Sequence, residues 1–365
     1  MVASIPTSRL SYANWPDDPA TWAREVGSSE RAAALLGRSV FIDLHNDMEV
    51  PVRLLGWDPA KHHGISQVPM PFFGHTDWPR LRQAGVRAVA YDLATNVFRS
   101  EAGRQAITVT NVDRIRQVAA RHPDDLAIVT NSTELDAAID QDKLALMLTL
   151  QGGNALSLDP SVLGGELGRW ITRITLVHLT NSVFGGTNSP SGGGRGITEA
   201  GRAFVQCCNA SRVLVDLAHA SRETFWDALA VHASDLPPVV THTGLSAVRP
   251  HWRNIDDAQV RAIADRGGVV GIVYQGNFLA RVPPGFPCRR AAIADHLLHL
   301  WKVGGEDALG LGSDYDGMIT PPWDLPDVTH HPRLIDDLFA RGFPDRVIEK
   351  LLGENFRRVW RAVRP

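Results

Sequence analysis

The chain alternates short, almost wholly apolar runs with longer amphipathic stretches, and it does so eight times. Examples are Val40-Phe41-Ile42-Asp43-Leu44, Leu144-Ala145-Leu146-Met147-Leu148-Thr149-Leu150 and Gly268-Val269-Val270-Gly271-Ile272-Val273. Such a strand has no face to give to water. It must be buried on both sides, as parallel strands are when helices cover them. The runs place strands near 39–45, 86–94, 144–151, 173–179, 212–218, 238–243, 268–274 and 308–313. Helical stretches near 110–121, 199–211, 222–233, 256–266 and 289–303 separate them, and Asp256-Asp257 supplies a cap and first turn. Eight strand–helix units imply an α/β chain folded as a (β/α)8 TIM barrel rather than an open doubly wound sheet. No Gly-x-Gly-x-x-Gly follows the first strand, which speaks against a dinucleotide fold.

A barrel with additions accounts for all 365 residues as one domain, 1–365. Residues 1–38 form an N-terminal extension with a helix near 19–36. Residues 318–365 form a C-terminal helical segment, with Pro321-Pro322-Trp323 and then helices near 332–341 and 344–362. The stretch Gly185–Gly196, rich in Gly, Ser and Asn, serves equally well as a lid or as a plain connector.

The apolar strands end in polar residues. His45 and Asp47 close the first, and Gln151, His178, His219, His242 and Asp314 close later ones. In a parallel barrel all these ends meet at one mouth. One buried histidine at a strand end is usually just a hydrogen-bonded core residue. Several on separate strands would each bury an unpaired polar group, and packing alone does not explain that. Imidazole and carboxylate together suit Zn²⁺, and an ion there makes hydroxide available near neutral pH. Asp314 is placed to take and return a proton. Asp43 reads as structural, and His62-His63 and His330-His331 read as surface loops.

The remaining composition excludes more than it selects. A net charge of −3 does not direct binding to nucleic acid or anionic lipid. Three cysteines, Cys207, Cys208 and Cys288, form neither a metal knuckle nor a disulfide framework, which fits a reducing compartment. The N-terminus lacks the charged-then-apolar pattern of a signal peptide. No run reaches the ~18–20 apolar residues of a membrane span. The expectation is a cytoplasmic protein with no membrane or nucleic-acid partner, and a homodimer is left open.

The motifs now resemble a family. Asp43-x-His45-x-Asp47, Gln151-Gly152-Gly153, Leu176-Val177-His178, Asp216-Leu217-Ala218-His219, Thr241-His242-Thr243, Arg253-Asn254-Ile255 and Gly312-Ser313-Asp314-Tyr315-Asp316-Gly317 follow the order and spacing of the membrane (renal) dipeptidases. These are zinc-dependent barrels of the amidohydrolase-like, metal-dependent hydrolase type. The resemblance, over about 40–360, implies that His45 and Asp47 bind a first metal and His219 and His242 a second. It implies that His178 steadies the substrate, that Arg253 grips its carboxylate with Asn254 beside it, and that Asp314 is the proton shuttle. It implies a metallopeptidase acting on dipeptides. One departure matters. The family carries Glu at 151, bridging both metals; here Gln151 offers one neutral oxygen and a donor NH₂. Asn154 departs too, from a family His. The expectation is a dipeptidase-like hydrolase with one zinc ion or two, the second weakened. Two other readings stay open: a diverged enzyme that isomerises, deaminates or eliminates from an amino-acid-derived metabolite, and a binding protein without catalysis.

Overall fold

Every strand pairing in the sheet is parallel. The structure, a computed structural model, describes residues 7–93, 99–157, 159–283 and 287–365. Its strands are β1 Phe41–Asn46, β2 Val86–Asp92, β3 Leu126–Ile128, β4 Leu144–Gln151, β5 Arg173–Thr175, β6 Leu214–Asp216, β7 Val239–Thr243, β8 Val269–Ile272 and β9 Leu309–Leu311. The order around the sheet is β1-β2-β4-β5-β6-β7-β8-β9, and β3 pairs with β4. Beyond β9 the chain rejoins β1: the Asp314 N–H donates to His45 O at 3.0 Å, and the Asp47 N–H to Tyr315 O at 2.9 Å. These bonds bring the two ends of the sheet together as a nearly closed, eight-strand parallel barrel.

All eight expected strands are present, and β3 is additional. Leu126-Ala127-Ile128 is three residues long and follows two aspartates, too short to register as an apolar run. It pairs with Leu144–Leu146, the first half of β4, while β5 pairs with Thr149–Gln151, the second half. Several strands stop before their apolar runs do; β5 ends at Thr175, where a strand to 179 was expected. The leftover residues leave the ladder and carry polar side chains over the rim. Residue 94, the expected end of the second strand, lies outside the described residues.

The single N-terminal helix expected near 19–36 is two helices, Pro19–Val26 and Glu30–Arg38. Gly27 turns left-handed at φ 69° and stops the first, and the Ser29 side chain caps the second by accepting from the Ala32 N–H. Asp256 does cap its helix, in a reciprocal box with Gln259.

His330 and His331 are buried, contrary to the surface loop expected for them. The C-terminal segment folds back on the barrel: His331 Nδ1 lies 2.6 Å from Val328 O and its Nε2 3.0 Å from Tyr274 Oη, while His330 meets Asp327 at 2.8 Å. The N-terminal extension packs on the same segment. The Trp22 indole N–H donates to Thr329 O at 2.8 Å, and Asp336 accepts from both the backbone and hydroxyl of Ser29. Among the described residues no helix is long and apolar enough to cross a membrane.

Candidate active site

Sharp turns just past the strands aim the polar side chains. His219 follows β6 at φ 65°, and Asp314 follows β9 at φ 59°. A non-glycine residue in this left-handed region costs on the order of 1 kcal/mol, so the surrounding structure must hold it there. Asp43 contributes for the second turn: its carboxylate accepts from the Ser313 N–H at 2.8 Å and the Ser313 hydroxyl at 2.6 Å, welding β1 to the end of β9. Asp316 accepts from the N–H groups of Gly74, His75 and Thr76, which ties the 74–76 loop to the same turn. Thr187 lies within the Gly-rich stretch. Its hydroxyl reaches the carbonyl oxygens of His178 and His219, so that stretch is fastened to the site at this point.

His45, Asp47, Gln151, His178, His219, His242, Arg253 and Asp314 come together at the barrel mouth. His45 Nε2 is 3.4 Å from Asp47 Oδ2 and 3.7 Å from Asp314 Oδ1. The Nε2 atoms of His219 and His242 are 2.9 Å apart, and Gln151 Nε2 lies 3.2 Å from each. The rings of His45 and His242 stack at 3.9 Å. His178 meets His219 edge-on at 4.7 Å. Above them opens a cavity of about 320 Å³, lined by Asp47, Gln151, His178, His219, Arg253 and Asp314, with Trp252, Phe278 and Met318 among its apolar walls. Arg253 is buried. Its Nη2 donates to His242 O at 2.8 Å, while Nη1 has no partner. Asn254 does not line this cavity. Its amide holds three backbone groups instead: it accepts from Gly244 N–H and donates to the carbonyls of Arg249 and Phe278.

Burial sets the charge states. It pushes Asp47 up to about 7 and Asp314 well above the carboxylate range, each raised further by nearby acids. The neighbouring Asp47 carboxyl adds to the rise of Asp314, which favours a proton on that member of the pair. Burial lowers His45 to about 3, and His219 and His242 well below the usual 6.5, keeping the rings neutral. It lowers Arg253 to about 10, with Asp314 opposing the shift.

Sequence reasoning missed the polar layer beneath the mouth. Arg173 on β5 donates to Asp216 Oδ2 at 2.9 Å, Thr241 Oγ1 at 2.6 Å and Thr149 Oγ1 at 2.8 Å. It also contacts His45 Nδ1 at 2.8 Å and lies 3.5 Å from Asp92 Oδ1. The signal was available: an arginine inside Ile171-Thr172-Arg173-Ile174-Thr175-Leu176-Val177 is a charge in a strand that must be buried on both faces.

The donor chemistry fits a divalent ion. Ligand atoms of His45, His242 and Asp314 lie within 4.8 Å of one another, and Asp47 Oδ1 is buried without a partner. Two nitrogens sharing a tetrahedral zinc with ~2.0–2.1 Å bonds sit about 3.3 Å apart, close to the His219–His242 spacing. Gln151 brings no charge to hold a second ion beside the first.

The family model of the membrane dipeptidases, peptidase family M19, matches residues 29–365. The chain belongs to the membrane dipeptidase family. Solved structures agree. A dipeptidase described as a metallopeptidase of family M19 is 25% identical over 88% of this chain and 99% of its own, with a TM-score of 0.76. A metallopeptidase from Rhodobacter sphaeroides, liganded with a phosphinate mimic of the dipeptide L-Ala-D-Ala, is 22% identical over 88% and 99%, with a TM-score of 0.74. The probable dipeptidase PvdM from Pseudomonas aeruginosa is 17% identical over 93% and 98%, with a TM-score of 0.80. This membrane dipeptidase family member is therefore a dipeptidase-like hydrolase built on the family's barrel.

Proposed function

We propose that this chain is a zinc-dependent hydrolase that cleaves the amide bond of a small substrate with a free carboxylate, such as a dipeptide. The observation that carries the proposal is the pairing of two features in one cavity. Buried Arg253, whose Nη1 has no hydrogen-bond partner, lines the same cavity as the carboxyls of Asp47 and Asp314. A guanidinium grips a carboxylate well, and a carboxyl pair can give and take one proton. His219 and His242 would hold an ion here; when bound, it supplies Lewis-acid polarisation of the scissile carbonyl and eases loss of a proton from water. In its carboxylate form, which a bound cation would favour, Asp314 accepts the proton of the attacking water and passes it to the leaving amine. Arg253 fixes the substrate's carboxylate end. His178, half-buried beside His219, donates to the oxygen on which charge develops. The apolar walls, Trp252, Phe278 and Met318, receive side chains without demanding one chemistry.

A second reading, a diverged enzyme acting on an amino-acid-derived metabolite by isomerisation, deamination or elimination, is favoured by Gln151 at the family's bridging-Glu position. A panel of dipeptides with free and amidated C-termini, assayed with and without zinc, separates the two. The hydrolase reading expects zinc-dependent cleavage of free acids and poor cleavage of amides. No cleavage anywhere in the panel would favour the second.

A further inference from the structure

We infer that Arg173 withdraws His45 from the set of metal ligands, so that the mouth takes one divalent ion, with the guanidinium as a fixed cation beneath it. The inference deepens the hydrolase reading and rests on its metal dependence.

A guanidinium is all donors and does not give up its proton. Arg173 Nη2 lies 2.8 Å from His45 Nδ1, so Nδ1 is the acceptor of that bond. The neutral ring then carries its hydrogen on Nε2, the nitrogen that faces Asp47 and Asp314 at 3.4 and 3.7 Å. A histidine that binds metal is arranged the other way: its outer N–H donates to a carbonyl, carboxylate or water, and its lone pair points at the ion. For His45 to ligate through Nε2, the ring would have to lose its only N–H hydrogen.

The neighbouring ring shows the opposite wiring. His242 Nδ1 lies 3.0 Å from Thr241 Oγ1. That hydroxyl has one hydrogen, and it goes to Asp216 Oδ2 at 2.5 Å. The oxygen can therefore only accept from His242, which leaves the His242 Nε2 lone pair toward the mouth, where His219 Nε2 and Gln151 Nε2 lie 2.9 and 3.2 Å away. Arg173 enforces this arrangement as well, since its Nη1 donates to both Thr241 Oγ1 and Asp216. One buried guanidinium thus makes His242 a ligand and His45 a donor. Gln151 acts in the same direction, because its neutral amide beside His219 and His242 offers no charge to bridge two ions. Restoring a carboxylate at 151 then removes only one of two obstacles.

The test uses the whole protein labelled with ¹⁵N-histidine, made metal-free and then titrated with zinc sulfate. Two-bond ¹H–¹⁵N spectra distinguish the tautomers, and His45→Asn assigns the His45 signals. We expect His45 protonated on Nε2 before zinc. The first equivalent should move His219 and His242 and leave His45 in place. Elemental analysis after gel filtration should find one zinc per chain in the wild type and in Gln151→Glu, and two in Arg173→Met/Gln151→Glu. His45 protonated on Nδ1, a His45 Nε2 that becomes zinc-bound, or two zinc ions in the wild type would each overturn the inference. The wild-type spectra decide even where the double variant does not fold. Absence of dipeptide cleavage with His45 in the expected tautomer refutes the hydrolase reading and leaves the Arg173 assignment standing.

Discussion

Asp47 and Asp314 form the most consequential pair of single residues, because burial and nearby acids favour a proton on one of the two carboxyls. If Asp314 shuttles that proton, Asp314→Asn keeps the shape and removes the chemistry, and kcat should fall by at least ~10²-fold. Zinc content should change less than in His219→Ala; equal zinc loss in both variants would recast Asp314 as a ligand. Arg253 makes a separable prediction. Arg253→Ala should weaken free-acid substrates by ~2–4 kcal/mol, seen as a higher KM, and leave amidated analogues almost unaffected. Equal losses for both would remove the carboxylate role. Asp47, His219 and Asp314 were legible in the sequence as polar breaks at the ends of apolar runs, while Arg253, well past its strand, came only from the family resemblance. Asn254 looked equivalent by adjacency, yet its amide serves three backbone groups. Arg173, Asp92 and Asp216 passed unnoticed as site residues because each lies inside its expected strand, 173–179, 86–94 or 212–218, and not at its end.

At the scale of elements, apolar runs located the strands but not where the chain leaves them. In the run 173–179, Leu176 and Val177 stay apolar and buried after the ladder ends at Thr175, so hydrophobicity alone overshoots. The turn after β9 shows what such an ending does. Gly317 lies so close to the two carboxyls that an added Cβ would meet Asp47 Oδ2 at 2.4 Å and Asp314 Oδ1 at 2.5 Å. Neither carboxyl can retreat far: Asp47 is hemmed in by His45, and Asp314 is pinned through its own backbone to His45 O. Gly317→Ala should therefore displace the pair by up to about an ångström and lower kcat by ~10²-fold. Its thermal midpoint should move by only a few degrees, since a single turn at the mouth is disturbed (roughly 1 kcal/mol). Full activity in this variant would mean that the carboxyl spacing is not critical.

For the molecule as a whole, the barrel buries several histidines outside the mouth, and their neutrality ties stability to pH. His296 is the clearest case. Its Nδ1 accepts from the Leu245 N–H at 2.9 Å and its Nε2 faces Leu279 O at 3.0 Å, so adding a proton to Nδ1 must break the first bond. Burial lowers it to about 4. The unfolded chain, near the usual 6.5, therefore binds the proton first. The stabilising contribution is full above about pH 6.5 and is lost as pH falls through about 4. By pH 4.5 the loss should reach roughly 2–3 kcal/mol for this one ring. Buried acids oppose it. Asp43, raised to about 6, and Asp92, raised to about 7, contribute stability at low pH that is lost as pH rises through those values. The total pH profile of the metal-free protein mixes both directions, so the informative quantity is a difference. Urea unfolding of wild type and His296→Gln at pH 7 and pH 4.5, with chelator present, should give a smaller pH 7-to-4.5 loss in the variant. The gap between the two losses should be about that same 2–3 kcal/mol. Parallel profiles would mean that His296 takes up its proton in the folded state as readily as in the unfolded chain, and that the Leu245 bond does not hold the ring neutral.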